Sequence, residues 1–504
     1  MREAIKQSMI GKQGKSKDLP KQRTREESKG LPKQRTRERM KVLQKRAGGS
    51  GAVENDFSKG SMSRHIMGQA VPLMIAQVLQ LLYNVVDRIY IGHLPDANGL
   101  ALTGIGLVFP IVSLIGAFTN LYGMGGAPLC SIDRGAGKLD EAEKIMGNSA
   151  VLLFGTSFLL MAICYIFKKP VLYLLGASDA TYPYANTYLV IYLLGTVFFM
   201  LGNGMNNFIT SQGFPKIAMC TTMLGALINL VLDPVLIFGF GMGIEGAAIA
   251  TVFAQFVSAL WVLRFLCGKK AILKLKRSCF QLDAGLVGQI VSLGMSGFIM
   301  QATNCVAQIA CNAMLSIYGG DLYIGIMTVL NSVREILSMP VHGITSGSQP
   351  VLGYNYGAKK YERIRSGIRF MACVGGAYTI VAWAALMAFP RPFLALFTNN
   401  EEMIRLGVRS LHLYFAGFVF MLFQFAGQSV FVALGKSKRA IFFSLFRKVV
   451  IVLPLTLLLP RIMEDSVAGI FLAEPISNVV GGLACFITMY ATIYCRLGSC
   501  PQKV

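Results

Sequence analysis

Twelve apolar runs, each long enough to cross a bilayer, limit what this chain can fold into. They lie at about 66–91, 100–123, 147–167, 184–206, 216–239, 245–267, 289–317, 321–346, 367–389, 404–432, 440–460 and 467–494. A chain that is 54% hydrophobic and 14% charged, with mean hydropathy +0.55, is no ordinary soluble protein. Because backbone polar groups inside a bilayer must be satisfied internally, the runs predict an all-α membrane protein with twelve transmembrane helices.

The two sets of six runs repeat each other in sequence. The stretch G-G-A-P-L-C-S-I-D-R-G-A-G-K from Gly125 has a counterpart in G-S-Q-P-V-L-G-Y-N-Y-G-A-K-K from Gly347. Likewise, S-Q-G-F-P-K from Ser211 corresponds to A-L-G-K-S-K from Ala433. An even number of helices per repeat keeps both halves in the same orientation. We therefore predict two pseudo-symmetric six-helix bundles, with substrate bound between them, an arrangement compatible with a functional monomer.

The predicted domain organisation has five parts. A basic, disordered N-terminal tail occupies 1–65, the first bundle 66–267, a linker 268–288, the second bundle 289–494 and a C-terminal tail 495–504. The N-terminal tail has 18 Lys and Arg against 7 Asp and Glu, and it contains L-P-K-Q-R-T-R-E twice. Next to a membrane domain, such a tail is expected to attract anionic lipids and not nucleic acid. The alternative that this tail has no role stays open.

Basic residues predict how the chain crosses the membrane. The loops on the side of the N-terminal tail carry 19 Lys and Arg residues, whereas the opposite loops carry six. Positive loops stay in the cytoplasm, so we predict a multi-pass plasma-membrane protein with both termini cytoplasmic.

The first apolar run carries a stripe of polar residues on one helical face. Pro72, Gln80, Asn84 and Asp87 belong to this stripe, and Tyr83 lies beside it. A charged side chain inside a bilayer costs about 2.5 to 3.5 kcal/mol on insertion scales, so it normally faces a cavity or a partner. We interpret Asp87 as an ion-coupling site and Gln80, Tyr83 and Asn84 as candidate substrate contacts.

A second acid lies on the fifth run, in N-L-V-L-D-P. Asn229 and Asp233 are one helical turn apart, and Pro234 permits a local kink beside the acid. If Asp87 and Asp233 face one cavity, they repel each other when both are ionised, so the pair should bind a proton or another cation. The alternative is that Asp87 pairs with Arg88 or caps a helix end.

The second half lacks acids at the corresponding places. Its first run presents Gln301, Gln308 and Asn312, which either contact substrate or join helices. Cation coupling is therefore expected in the first half alone. Glu335 is expected to form a structural ion pair with its neighbour Arg334.

Sequence motifs that would indicate nucleotide binding or catalysis do not occur in the structural context that such sites need. The G-x-G-x-x-G from Gly241 follows no strand, and the G-K-S from Gly435 lacks the first glycine of a P-loop. The four histidines are far apart in sequence, and no metal cluster or catalytic triad is visible. We expect no cofactor, no metal and no enzymatic activity.

These features together resemble the MATE (multidrug and toxic compound extrusion) family over about residues 64–494. The matches are a first-helix proline with an aspartate fifteen residues on, N-x-x-x-D-P on the fifth helix, G-Y-N-Y-G-A-K from Gly353 and the duplicated plan. The absence of acids from the seventh and tenth helices is similar to the branch related to DinF and MepA.

The resemblance implies a V-shaped pair of bundles that exports organic cations in exchange for protons or sodium ions. It implies that Asp87, Asn229 and Asp233 form the cation site and that Pro72 bends the first helix. Two alternatives stay open at this stage. One is a lipid-linked oligosaccharide flippase of the same superfamily, and the other is an integral membrane lipid-modifying enzyme.

Overall fold

The computed structural model describes residues 56–92, 100–397 and 400–498, and every regular element in them is helical. The elements that form the bundles are α1 Met62–Gly92, α2 Leu100–Gly135, α3 Leu139–Leu174, α4 Tyr182–Ser211, α5 Pro215–Pro234, α6 Gly243–Cys267, α7 Ala284–Tyr318, α8 Gly320–Gly357, α9 Tyr361–Ala388, α10a Glu401–Phe415, α10b Met421–Ala433, α11 Ser437–Ile462 and α12 Ser466–Met489. Within the described residues, eleven helices are long and apolar enough to span a membrane, and the pair α10a and α10b makes a twelfth. The predicted all-α fold with twelve spans in two bundles is confirmed.

The tenth span differs from the single helix predicted at 404–432. Its halves meet at 42°, with Gly417 and a short 3₁₀ turn at the break. A Cβ at Gly417 would lie 2.9 Å from the Cα of Pro475, so glycine lets the break pack against α12. A short helix, Pro390–Ala395, also precedes this span and was not predicted.

Two other spans contain a π-helical turn next to a proline. A π-helical turn, Val235–Gly239, follows Pro234 at the end of α5, and a second, Phe446–Val452, precedes Pro454 within α11. Proline has no N–H to donate, so it removes one hydrogen bond from the helical ladder, and the two wider turns lie beside this gap. By contrast, α1 continues without interruption past Pro72.

The connections of the helices define two faces of the molecule. We call the side that carries residues 136–138, 212–214, 268–283, 358–360 and 434–436 the basic-loop face. On this face, the linker between the bundles is tied to α3, because Lys276 forms an ion pair with Glu143 and the backbone N–H of Lys274 donates to the same carboxylate at 3.0 Å.

The two bundles pack against each other through α1 and α2 of the first and α7 and α8 of the second. Close contacts at glycines between these helices lie in the helix halves nearer the basic-loop face. Gly294 of α7 lies directly on the backbone of Leu121, and Gly125 lies on Ile290. A side chain at either glycine would collide with backbone, so these small residues permit close packing between the bundles on this side.

A short segment before α1 packs across both bundles. Phe57 is buried, its carbonyl accepts hydrogen bonds from Asn355 at 3.1 Å and from Arg363 at 2.9 Å, and the guanidinium of Arg134 lies over its ring. The tail predicted to end at residue 65 therefore has folded residues from 56 onward. The rest of the predicted N-terminal tail, 1–55, and residues 499–504 lie outside the described chain.

Candidate cation and substrate site

The centre of the site is one turn of α5. Asn229 and Asp233 are each only 1% exposed, and the Asn229 amide donates to Asp233 Oδ1 at 3.1 Å and to the Thr251 hydroxyl of α6 at 3.2 Å. Asn229 therefore holds the Asp233 carboxylate against α6. The π-helical turn after Pro234 begins directly beyond this acid.

Asp87 of α1 brings a second carboxyl to this point. Its side chain lies within hydrogen-bonding reach of Asp233. The other oxygen of Asp233, Oδ2, is buried and receives no donor from any residue that the structure describes. Ionised carboxylates only accept hydrogen bonds, so a proton or a metal cation between the two groups would relieve their repulsion.

The site adjoins a cavity of about 290 Å³ inside the first bundle, lined from α1, α2, α4, α5 and α6. Asp87 and Asn229 lie in its wall together with several tyrosines. Tyr83 and Tyr188 are within hydrogen-bonding reach of Thr251, and Tyr192 is within reach of Gln255. The cavity thus combines the Asp87 carboxylate with aromatic rings, the two kinds of group that attract organic cations.

Two polar residues predicted at the site line this cavity, Gln80 and Tyr83, in addition to Asp87 and Asn229. The side chains of Asn84 and Arg88 lie outside the described part of the chain, so the proposed pairing of Asp87 with Arg88 stays untested. Four residues in the cavity wall were not predicted from the sequence: Tyr188 and Tyr192 of α4, and Thr251 and Gln255 of α6. Their spacing of four residues on each helix was the available signal.

The second-half residues predicted for the substrate cavity lie elsewhere. Gln301 and Gln308 are exposed on α7, Asn312 is half-buried, and none of the three lines the cavity of the first bundle. A separate cavity of about 240 Å³ lies between the bundles, with Gln77 of α1 and Gln349 of α8 in its wall.

The second bundle contains a cluster of opposite charge. Arg334 donates to Glu474 at 3.0 Å, and Lys448 contacts both oxygens of the same carboxylate at 3.1 and 3.0 Å. Arg447 lies 3.5 Å from it. The expected pair of Arg334 with Glu335 is therefore wrong: Arg334 turns toward α12 to meet Glu474, while Glu335 is exposed on another side of α8.

A twelve-helix fold with buried charged residues facing the interiors of its bundles defines a polytopic membrane protein. The MatE family model matches residues 72–235 and 298–458, one segment in each bundle. The chain belongs to the MatE family, as the resemblance predicted, and this family comprises transporters and not enzymes.

Named relatives and solved structures agree with this family. The chain is 24% identical over 438 residues to the multidrug export protein MepA of Staphylococcus saprophyticus, covering 86% of this chain and 95% of the relative. MepA of Staphylococcus aureus strain NCTC 8325 is 21% identical over 436 residues, with the same coverage. Crystal structures of MATE in the bent conformation and in complex with MaL6 superpose with TM-scores of 0.83 and 0.82, at 21% identity, over 88% of this chain and 98% and 99% of theirs.

Proposed function

We propose that this protein exports organic cations across the plasma membrane by antiport with protons or sodium ions. The name of the MepA relatives, multidrug export protein, supports export of varied small molecules. The carboxyl pair of Asp87 and Asp233 beside an aromatic cavity carries the proposal. We further propose that both termini are cytoplasmic, which makes the basic-loop face the cytoplasmic side.

Antiport follows from competition for this pair of acids. An organic cation in the cavity is attracted by the ionised carboxylates and by the tyrosine rings. A proton or a sodium ion bound by Asp87, Asn229 and Asp233 neutralises the same charge and weakens that attraction. One elementary charge that moves through 100 mV gains about 2.3 kcal/mol, so inward movement of the coupled ion can drive export uphill.

The packing of the bundles supports the order of events. They touch at the basic-loop face through α1, α2, α7 and α8, so in the proposed orientation the structure is closed toward the cytoplasm. In this state the coupled ion enters from outside and releases the exported cation. Separation of the bundles on the cytoplasmic side would then admit the next cation.

Transport of rhodamine 123, a fluorescent lipophilic cation, in proteoliposomes tests the proposal. An imposed proton gradient is compared with an imposed sodium gradient for the native protein, for Asp87→Asn, and for a matched control, Asp140→Asn, whose carboxyl is exposed at the start of α3. We expect one gradient to drive transport, the first variant to abolish it and the control to retain it. Transport by Asp87→Asn at the native rate would exclude the proposed role of the acid pair.

A further inference from the structure

The charged cluster of the second bundle joins three helices. Arg334 comes from α8, Arg447 and Lys448 come from adjacent positions of α11, and Glu474 comes from α12. Besides its contact with Glu474, Arg447 donates to the side-chain oxygen of Asn478. The π-helical turn Phe446–Val452 contains both α11 cations.

Positive charge exceeds negative charge in this cluster. Among the residues that the structure describes, three cationic side chains contact one carboxylate, and the nearby acid Glu335 is exposed and makes no salt bridge within 4.0 Å. Even if Lys448 were neutral, two guanidinium groups would outnumber Glu474, because arginine keeps its proton in proteins. Unpaired charge in a membrane interior is costly, so a further anion would stabilise the cluster.

The cluster also has donors and an open edge for such an anion. The side chains of Lys448 and Arg447 are only 5% and 11% exposed, whereas that of Arg334 is 31% exposed. A guanidinium group has five N–H donors, and the contacts to Glu474 and Asn478 occupy two of those on Arg447. Two such groups can hold an oxyanion through paired hydrogen bonds.

The internal duplication places this cluster where the first bundle has its cavity. When the halves are overlaid on Pro128 and Pro350, the three cations fall on small or apolar residues of the first bundle. Arg334 falls on Val112, Arg447 on Gly225 and Lys448 on Ala226. All three counterparts line the cavity of about 290 Å³. The cationic groups therefore occupy positions equivalent to part of the wall of the first-bundle cavity.

We propose that Arg334, Arg447 and Lys448 form an anion-binding site for a carboxylate or phosphate group carried by an exported compound. The anion-binding site itself does not depend on the proposed export function. Only the statement that an exported compound supplies the anion rests on that function. The site would extend the substrates of this protein to compounds that carry an acidic group as well as a cationic one. A phosphate of a membrane lipid has the same chemistry and is the competing occupant.

Two dyes that differ in one group test the site. Rhodamine 110 carries a free carboxylate, and rhodamine 123 is its methyl ester. Their binding to the full-length protein in phosphatidylcholine nanodiscs is measured by fluorescence polarisation. We expect rhodamine 110 to bind at least about tenfold more tightly. This preference should fall below about threefold in Lys448→Met and in Arg334→Gln. Arg334 is more exposed than Lys448, so its replacement is less demanding for folding. The preference should persist in the control Lys438→Met, because that lysine is exposed on α11.

The outcomes separate this site from the proposed export function. Equal binding of the two dyes by the native protein, or a preference unchanged in both cluster variants, would overturn the anion site even if rhodamine 123 is exported. A preference that depends on Arg334 and Lys448 would support the site even if no gradient drives transport. Competition by added phosphatidylglycerol against rhodamine 110 would identify a lipid phosphate as the occupant and overturn the assignment to an exported compound.

Discussion

The two bundles share one architecture but differ in the sign of the charge that faces their interiors. The described lining of the first-bundle cavity includes Asp87 and Asn229 and no Lys or Arg, with Asp233 directly behind. The second bundle has three cations around Glu474. A duplicated fold can therefore keep its helices while a few positions facing the bundle interior change the chemistry.

The difference also concerns how buried charge is stabilised. In the second bundle, Glu474 is satisfied by cations of the same chain, so the carboxylate contributes to holding α8, α11 and α12 together. In the first bundle, Asp87 and Asp233 approach each other, and the structure describes no ion pair with Lys or Arg for Asp233. Charge in the second bundle should therefore matter for stability, and charge in the first bundle for transport.

Removal of the central carboxylate should produce the largest effect. Glu474→Gln would leave three cations without an acid, and breaking a buried ion pair from one side costs about 3 to 5 kcal/mol of unfolding free energy. The measurement is the thermal unfolding midpoint in detergent, with Glu335→Gln as control because that acid is exposed on α8. Equal midpoints for the two variants would show that Glu474 does not hold the second bundle together.

A lysine moved into the first bundle should copy the chemistry of the second. Ala226→Lys puts a cation at the position equivalent to Lys448, in the wall of the cavity bordered by Asp87 and Asn229. Because the lysine would pair with the acids, rhodamine 123 transport should fall by about 100-fold, or about 2.7 kcal/mol. Ala226→Met has similar length without charge, and a comparable loss in that variant would attribute the effect to size.

Neutralising one acid of the first bundle should change stability little. Asp233→Asn removes repulsion from Asp87 and keeps a side chain that can bond to Asn229, so its unfolding free energy should lie within about 1 kcal/mol of the native value. Coupled transport should nevertheless be lost. A destabilisation as large as that of Glu474→Gln would remove the proposed contrast between the bundles.

Much of the fold was predictable from the sequence, because hydrophobic length determines which segments span a membrane. The exceptions were local: the break at Gly417 depends on its contact with Pro475 of another helix, and sequence spacing along one span contains no information about that contact. Likewise, the N-X-X-X-D spacing correctly placed Asn229 beside Asp233, because four residues make one helical turn.

Partners distant in sequence were harder to predict. Arg334 and Glu335 are adjacent, but neighbouring residues on a helix point in different directions, so the expected pair did not form. The actual partner of Arg334 is 140 residues away. The sequence did indicate that Arg334, Arg447, Lys448 and Glu474 lie in apolar runs, and the duplication could have aligned three of them with cavity positions of the first bundle.

An acid outside the membrane should have the smallest effect. Asp56 accepts hydrogen bonds from Ser58 at 2.9 Å and from the Tyr354 hydroxyl at 3.2 Å. Partial burial acts to raise the pKa of this carboxyl, but the hydrogen bonds outweigh burial and hold the pKa below its ordinary value of 3.8. A lowered pKa means that the contribution of the Asp56 carboxylate to stability is fully present above this ordinary value and is lost as the pH falls through the lower folded-state pKa.

Asp56→Asn should therefore destabilise the protein by less than about 1 kcal/mol at neutral pH, because the side chain is 28% exposed. Unfolding midpoints of the native protein and the variant should converge as the pH falls below 3.8 and through the lower folded-state pKa. A gap that widens on acidification would show that the carboxylate does not stabilise this contact between the N-terminal segment and α8.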